Sequence, residues 1–209
     1  MAAPPNVYGT ARRGLRSRLG SSLAARARAR RHEQFFALTG LQPGMRIVDI
    51  GCGALGLRAL APDLDITGVD LVPRPEYPGP FVQADATKRL PFDDSAFDLA
   101  YSSSVIEHVA PAARAAFAAE VRRVGRGWFV QTPAFGFPIE PHALLPFAHW
   151  LPPTLRRPYW RLAAVAPWEE IHLLHRSEFA RLFGEPVHAE RVGGLAKSWV
   201  AVRPVSSPP

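Results

Sequence analysis

Apolar residues along this chain fall into two rhythms. Short, unbroken apolar blocks rich in β-branched residues, Ile47-Val48 with Ile50 and Ile66 to Val69, stop at an acid or a glycine, the pattern of strands buried on both faces. Phe81-Val-Gln, Leu99-Ala-Tyr and Gly127-Trp-Phe-Val-Gln-Thr132 repeat it further along. The second rhythm is helical. From Pro111 to Val124 the chain is alanine-rich with Phe117 and Val121 four apart, opened by a proline and closed by Gly125. Ser177 is the expected N-cap of a helix reaching Phe183, with Gly184 ending it, and a further helix is expected over about 22–39. Pro186 to Glu190 and Ala196 to Val202, joined through Gly193-Gly194, predict a hairpin. Strands alternating with helices make this an α/β chain.

The chemistry concentrates where the first strand ends. Ile47-Val-Asp-Ile-Gly-Cys-Gly-Ala-Leu-Gly56 is a strand running into a glycine loop, with a helix expected next and then a second strand whose last residue is Asp70. That is the nucleotide end of a βαβ unit and implies an adenosine-containing cofactor. Glycine lets the loop turn sharply and lie against a ligand; a carboxylate at the end of the second strand can accept both ribose hydroxyl protons. Two cofactors suit this frame. Read literally, residues 51–56 form a GxGxxG, the dinucleotide fingerprint of an NAD(P)-dependent oxidoreductase. Asp49, however, stands two residues before the first glycine, where a diphosphate would disfavour a carboxylate and a cationic ligand would favour it. Phe81-Val-Gln-Ala-Asp85-Ala86 adds a short strand ending in an acid that could accept an adenine amino proton.

From about Arg46 to Thr132 the chain resembles the class I S-adenosylmethionine-dependent methyltransferases, in particular the small type 11 group. The resemblance implies a Rossmann-like, seven-stranded, mainly parallel sheet with helices on both faces and the terminal hairpin as its antiparallel edge. It implies that Asp49, Gly51, Cys52 and Gly53 face the methionine part of S-adenosyl-L-methionine, that Asp70 and Leu71 take its ribose, and that Asp85 and Ala86 form the adenine edge. Ser102 and Ser103 fall where the fourth strand passes under the sulfonium. In that family the third glycine stands at the position of Leu55; here Gly56 comes one residue late.

Composition narrows the alternatives. The 209 residues suit one domain of ordinary size. Cys52 is the only cysteine, which excludes a disulfide framework, and without a CxxC or a His/Cys cluster no metal site is predicted. Glu107-His108 matches two of three ligands of a known metal-dependent subgroup, but Ser104 holds the place of the third. The net charge of +7 is mostly arginine. Arg12, Arg13, Arg16, Arg18, Arg26, Arg28, Arg30 and Arg31 all precede the first acid, Glu33, so residues 1–31 are expected to form a solvated arm and 32–209 the catalytic domain. A basic arm can attract phosphate on a nucleic acid or an anionic membrane. A non-enzymatic nucleic-acid-binding relative is therefore a third reading, although no nucleic acid is expected as a partner. No run of about 18 apolar residues is present and no apolar core follows Arg12-Arg13, so a cytoplasmic protein, peripheral at most to a membrane, is expected.

Residues 133–170 should decide the substrate. In class I enzymes the loop after the fifth strand walls the acceptor pocket, and here it is long, aromatic and stiffened by proline. Within it Glu140 and His142 are the candidate catalytic pair, placed to orient or deprotonate an acceptor hydroxyl. Arg156, Arg157 and Arg161 beside Trp150, Tyr159 and Trp160 suit weak contact with an anionic membrane surface. The expected activity is methyl transfer to a small, apolar or lipid-linked acceptor, with oxygen as the receiving atom.

Overall fold

The computed structural model describes residue 33 and residues 35–162, 171–184 and 186–205. The basic arm expected over 1–31, the first part of the helix expected over 22–39 and the last part of the 133–170 segment lie outside the described residues. Residues 35–39 are helical, as expected.

Seven strands form one sheet: β1 (Arg46–Ile50), β2 (Asp65–Asp70), β3 (Phe81–Gln83), β4 (Phe97–Ser103), β5 (Gly125–Pro133), β6 (Val187–Val192) and β7 (Leu195–Arg203). Their order is β3-β2-β1-β4-β5-β7-β6. The first five are parallel; β7 runs antiparallel to both β5 and β6. The hairpin therefore contributes two strands, and the antiparallel one lies inside the sheet with β6 at the edge. Because neighbouring strands reverse order between β1 and β4, the carboxyl ends of β1, β2 and β4 open around a topological switch point, where ligands of such sheets bind.

Side chains alternate between two cores. Val48, Ile50, Val69, Ala100 and Val130 pack on Phe117 and Val121 of α1 (Arg114–Val124) and on Phe179 and Phe183 of α3 (Arg176–Phe183). Ile47, Ile66, Leu99, Tyr101 and Phe129 face the other way, onto Phe35 and Leu57. There Tyr101 and Phe129 stack with centroids 5.5 Å apart, and Phe35 meets each edge-on. Such pairs contribute about 1 kcal/mol each beyond their buried area.

Two expectations about helices require correction. The helix after the glycine loop is only the 3-10 turn Gly56–Ala59. Gly56 takes a left-handed φ of 49° where a first helical turn would begin, and Pro62 stops propagation soon after. Ser177 is not an N-cap: α3 begins at Arg176 with His175 as its cap, and no side chain caps it. Pro73, Pro75, Pro78 and Pro80 likewise keep the β2–β3 connection free of helix.

One buried cation ties the surroundings of the sheet's carboxyl edge together. The Arg114 guanidinium, 3% exposed, bonds Glu178 Oε1 at 2.6 Å, the Val109 carbonyl at 3.2 Å and the His172 carbonyl. It thus joins α1, α3, the segment after β4 and the segment before α3.

Residues 138–162 belong to a separate compact unit. It contains an Ile139–Pro146 bridge, a 3-10 turn at Ala148–Trp150 and α2 (Pro153–Trp160), whose start is set by Pro153 at its first position. No helix among the described residues is long and apolar enough to cross a membrane.

Candidate functional site

The glycine loop is closed by carboxylates. Asp49, the penultimate residue of β1, is 1% exposed, and its Oδ2 accepts the Leu57 N–H at 2.6 Å across the loop. Gly56 has to be glycine because a Cβ there would collide with that same Oδ2. The displaced third glycine is thus the residue over which Asp49 reaches Leu57. Burial, opposed by the Leu57 N–H and reinforced by Asp70, pushes the Asp49 carboxyl up to about 7. Asp49 therefore braces the loop from inside. Cys52 is also buried, and burial together with Asp49 and Asp70 pushes its thiol up to about 12, so it stays neutral and serves as packing.

Asp70 remains at the mouth. Its Oδ2 accepts the Gly53 N–H at 2.9 Å and pairs with Arg74 at 3.2 Å, while Oδ1 accepts the Val72 N–H at 2.9 Å. A carboxylate offers about four acceptor positions, so a further donor can be taken without breaking the loop contact. Gly53 itself, with φ of 55°, has nothing within 4 Å of where a Cβ would point. Leu71, next in the chain, is 65% exposed. Beyond β3, Asp85 Oδ1 accepts the backbone N–H and hydroxyl of Thr87, and these hydrogen bonds hold its carboxyl below the usual range. Ala86 is half-buried beside it.

The β4 serines separate. Ser102 is buried and donates to the Ile50 carbonyl at 3.0 Å, so it joins two strands. Ser103 is half-buried and donates to Gln131 Oε1 at 2.6 Å. Sequence reasoning passed over Gln131, a polar residue near the end of the apolar fifth strand; that interruption was the available signal. It also passed over Thr132, whose hydroxyl donates to the buried Glu107 carboxylate at 2.9 Å, and Tyr77, whose ring lies under the Arg58 guanidinium.

These contacts decide between the two cofactors. A dinucleotide's diphosphate needs unoccupied loop N–H groups at a helix N-terminus. Here Gly51 and Cys52 donate to the Val69 carbonyl, Gly53 to Asp70 and Leu57 to Asp49, and only a 3-10 turn follows. An anionic diphosphate would meet carboxylates, whereas a nucleoside carrying a sulfonium and an ammonium fits them. Residues 48–129 match the family model described as a methyltransferase domain, Methyltransf_11. Over those residues the chain carries a methyltransferase domain, and the match supports a class I S-adenosylmethionine-dependent enzyme.

Solved structures agree with this methyltransferase on the fold. The PH0226 protein of Pyrococcus horikoshii OT3 superposes with a TM-score of 0.60 at 18% identity, covering 87% of this chain and 91% of its own. The 1,6-didemethyltoxoflavin-N1-methyltransferase of Burkholderia thailandensis, with S-adenosylhomocysteine bound, gives 0.55 at 18%, covering 90% and 85%. Magnesium protoporphyrin IX methyltransferase of Synechocystis PCC 6803 gives 0.53 at 13%, covering 94% and 90%. No curated protein matches the methyltransferase in sequence.

In the separate unit, Glu140 is buried and accepts the N–H groups of His142 and Ala143, while its Oε1 lies 2.9 Å from His142 Nδ1. Burial alone would raise its carboxyl, but the bonds from His142 and Ala143 hold it below the usual value. The carboxylate is engaged by this turn and by the His142 ring. The Oε1–Nδ1 contact fixes the orientation of the imidazole ring.

Proposed function

We propose that this enzyme transfers the methyl group of S-adenosylmethionine to a hydroxyl oxygen of a small apolar or lipid-linked acceptor. The observation that carries the choice of oxygen is the Glu140–His142 pair at 2.9 Å. A base is required when the nucleophile arrives protonated, and a hydroxyl is the common case. The aromatic, proline-rich character of 138–162 supports an apolar acceptor, and an acceptor of that kind makes peripheral attachment to a membrane part of the same reading.

On this reading Asp70 and Leu71 hold the ribose, Asp85 and Ala86 the adenine edge, and the backbone of Gly51 and Gly53 the methionine part. S-adenosylmethionine supplies an electrophilic methyl group on a sulfonium. Asp49 keeps the loop in shape from inside by holding the Leu57 N–H. Within its own unit His142 is the residue suited to take a hydroxyl proton from an acceptor, and Glu140 keeps its imidazole oriented. Ser103 and Gln131, joined at the ends of β4 and β5, orient the acceptor. Collinear placement in a site cleared of water supplies most of the rate.

The test is radiolabelled S-adenosylmethionine incubated with the protein and either a total lipid extract or an aqueous metabolite extract. Label passing into the organic phase, lost in His142→Ala, is the expected result. Label confined to the aqueous fraction, or undiminished in His142→Ala, overturns the acceptor assignment.

A further inference from the structure

Residues 138–162 expose large apolar side chains at a cost to the backbone. Leu144 and Phe147 have φ of 55° and 57°, in the left-handed region where glycine and asparagine are at ease and bulky residues are not. Neither is compensated by burial: they are 59% and 51% exposed. Trp150, 44% exposed, lies with its ring 5.2 Å from that of Phe147, and Leu155 on α2 is exposed as well. A turn selected only for folding would carry Gly or Asn at positions 144 and 147.

Within 138–162 the exposed charge has one sign. Glu140 is the only acid in 138–162 and it is buried, whereas Arg157 and Arg161 are exposed. The cationic and aromatic set differs from the sequence expectation. Trp160 is buried, and Arg156 is turned inward onto the His149 and Leu151 carbonyls at 3.0 and 3.2 Å. Protruding leucine, phenylalanine and tryptophan with arginines and no exposed carboxylate match an anionic lipid surface: the apolar tips enter the acyl boundary and the guanidinium groups stay among the phosphates.

We propose that the 138–162 unit is a membrane-docking wedge, with Leu144, Phe147 and Trp150 as the inserted residues and Arg157 and Arg161 as the headgroup contacts. Docking rests on the proposed function only for its purpose, delivery of a lipid-borne acceptor, and it is measurable without methyl transfer.

The experiment is co-sedimentation of the full chain with vesicles of phosphatidylcholine alone or mixed with phosphatidylglycerol. Wild type is expected to sediment with the mixed vesicles. Leu144→Asn combined with Phe147→Asn should lower that partition about tenfold or more, while its melting temperature holds or rises, because asparagine tolerates the left-handed region. S-adenosylhomocysteine affinity, measured by calorimetry, should be unchanged in the double variant. Three outcomes overturn the proposal: wild type that ignores mixed vesicles, a double variant that sediments like wild type, or a concentration-dependent dimer on gel filtration that the double variant abolishes, which would assign the face to a second copy. Vesicle binding without S-adenosylhomocysteine binding would instead sink the proposed function and leave the wedge standing.

Discussion

Asp49 Oδ2 and the Leu57 N–H meet at 2.6 Å across the glycine loop, in a space that only the bare Cα of Gly56 leaves open. The contact has a pH signature. In the unfolded chain Asp49 ionises near its ordinary 3.8; folded, it does so near 7. Between those values the native state holds a proton that the unfolded state lacks, so stability is greatest below the lower value and falls as pH rises towards the upper one. At about 1.4 kcal/mol per pK unit the effect is bounded at about 4 kcal/mol. Asp49→Asn keeps an acceptor for Leu57 without an ionisable group. Its denaturation midpoint should be nearly flat between about pH 5 and 8, where that of wild type declines.

Gly56→Ala should disrupt the same loop. The new methyl meets the Asp49 carboxylate and the positive φ resists a side chain, so a loss of about 2 kcal/mol is expected. Gly53→Ala carries the φ penalty without the collision and should cost about 1 kcal/mol. Comparison of the two by urea denaturation checks the geometry; equal losses would contradict it.

Much of this was legible in the sequence, and the reasons for the exceptions are physical. The central parallel strands and the carboxyl-edge acids were legible in apolar blocks ending near Asp49, Asp70 and Asp85, since a parallel strand buried on both faces leaves a strong signature. Which way a side chain points at the end of a strand does not. Ser102 and Ser103 are adjacent and identical, yet the pleat sends one to the Ile50 carbonyl and the other to Gln131. The residue type of Asp49 suited a cation, but that it also satisfies the Leu57 N–H depends on loop closure and could not be read from the sequence. The exposed wedge was hidden for a related reason: Leu144 and Phe147 look like core residues until their backbone conformation is known.

Arg114 should be among the most sensitive positions in the chain. It is buried and bonds Glu178 and two carbonyls, so Arg114→Met leaves acceptors buried without a partner and is expected to cost about 3–5 kcal/mol. Glu178 is partly exposed, and Glu178→Gln should cost distinctly less. Thermal denaturation of both variants decides.

Glu140 predicts an opposite pH response for its own unit. Its carboxyl titrates below the ordinary 4.5, so its contribution is fully present above that value and is lost as pH falls below it. The hydrogen-exchange protection factors of the His142 and Ala143 amides should fall on acidification through this range. In Glu140→Gln, exchange should already be fast at neutral pH and show no such acid step.

Calorimetric titration of the full chain with S-adenosylhomocysteine and, separately, with NADH tests the central claim most directly: that the carboxylate-lined edge around Asp70 holds a cationic nucleoside cofactor and not a dinucleotide. Saturable binding of S-adenosylhomocysteine, weakened about tenfold or more by Asp70→Ala, with no heat from NADH, is the predicted result. Binding of NADH, or S-adenosylhomocysteine affinity indifferent to Asp70→Ala, would contradict it.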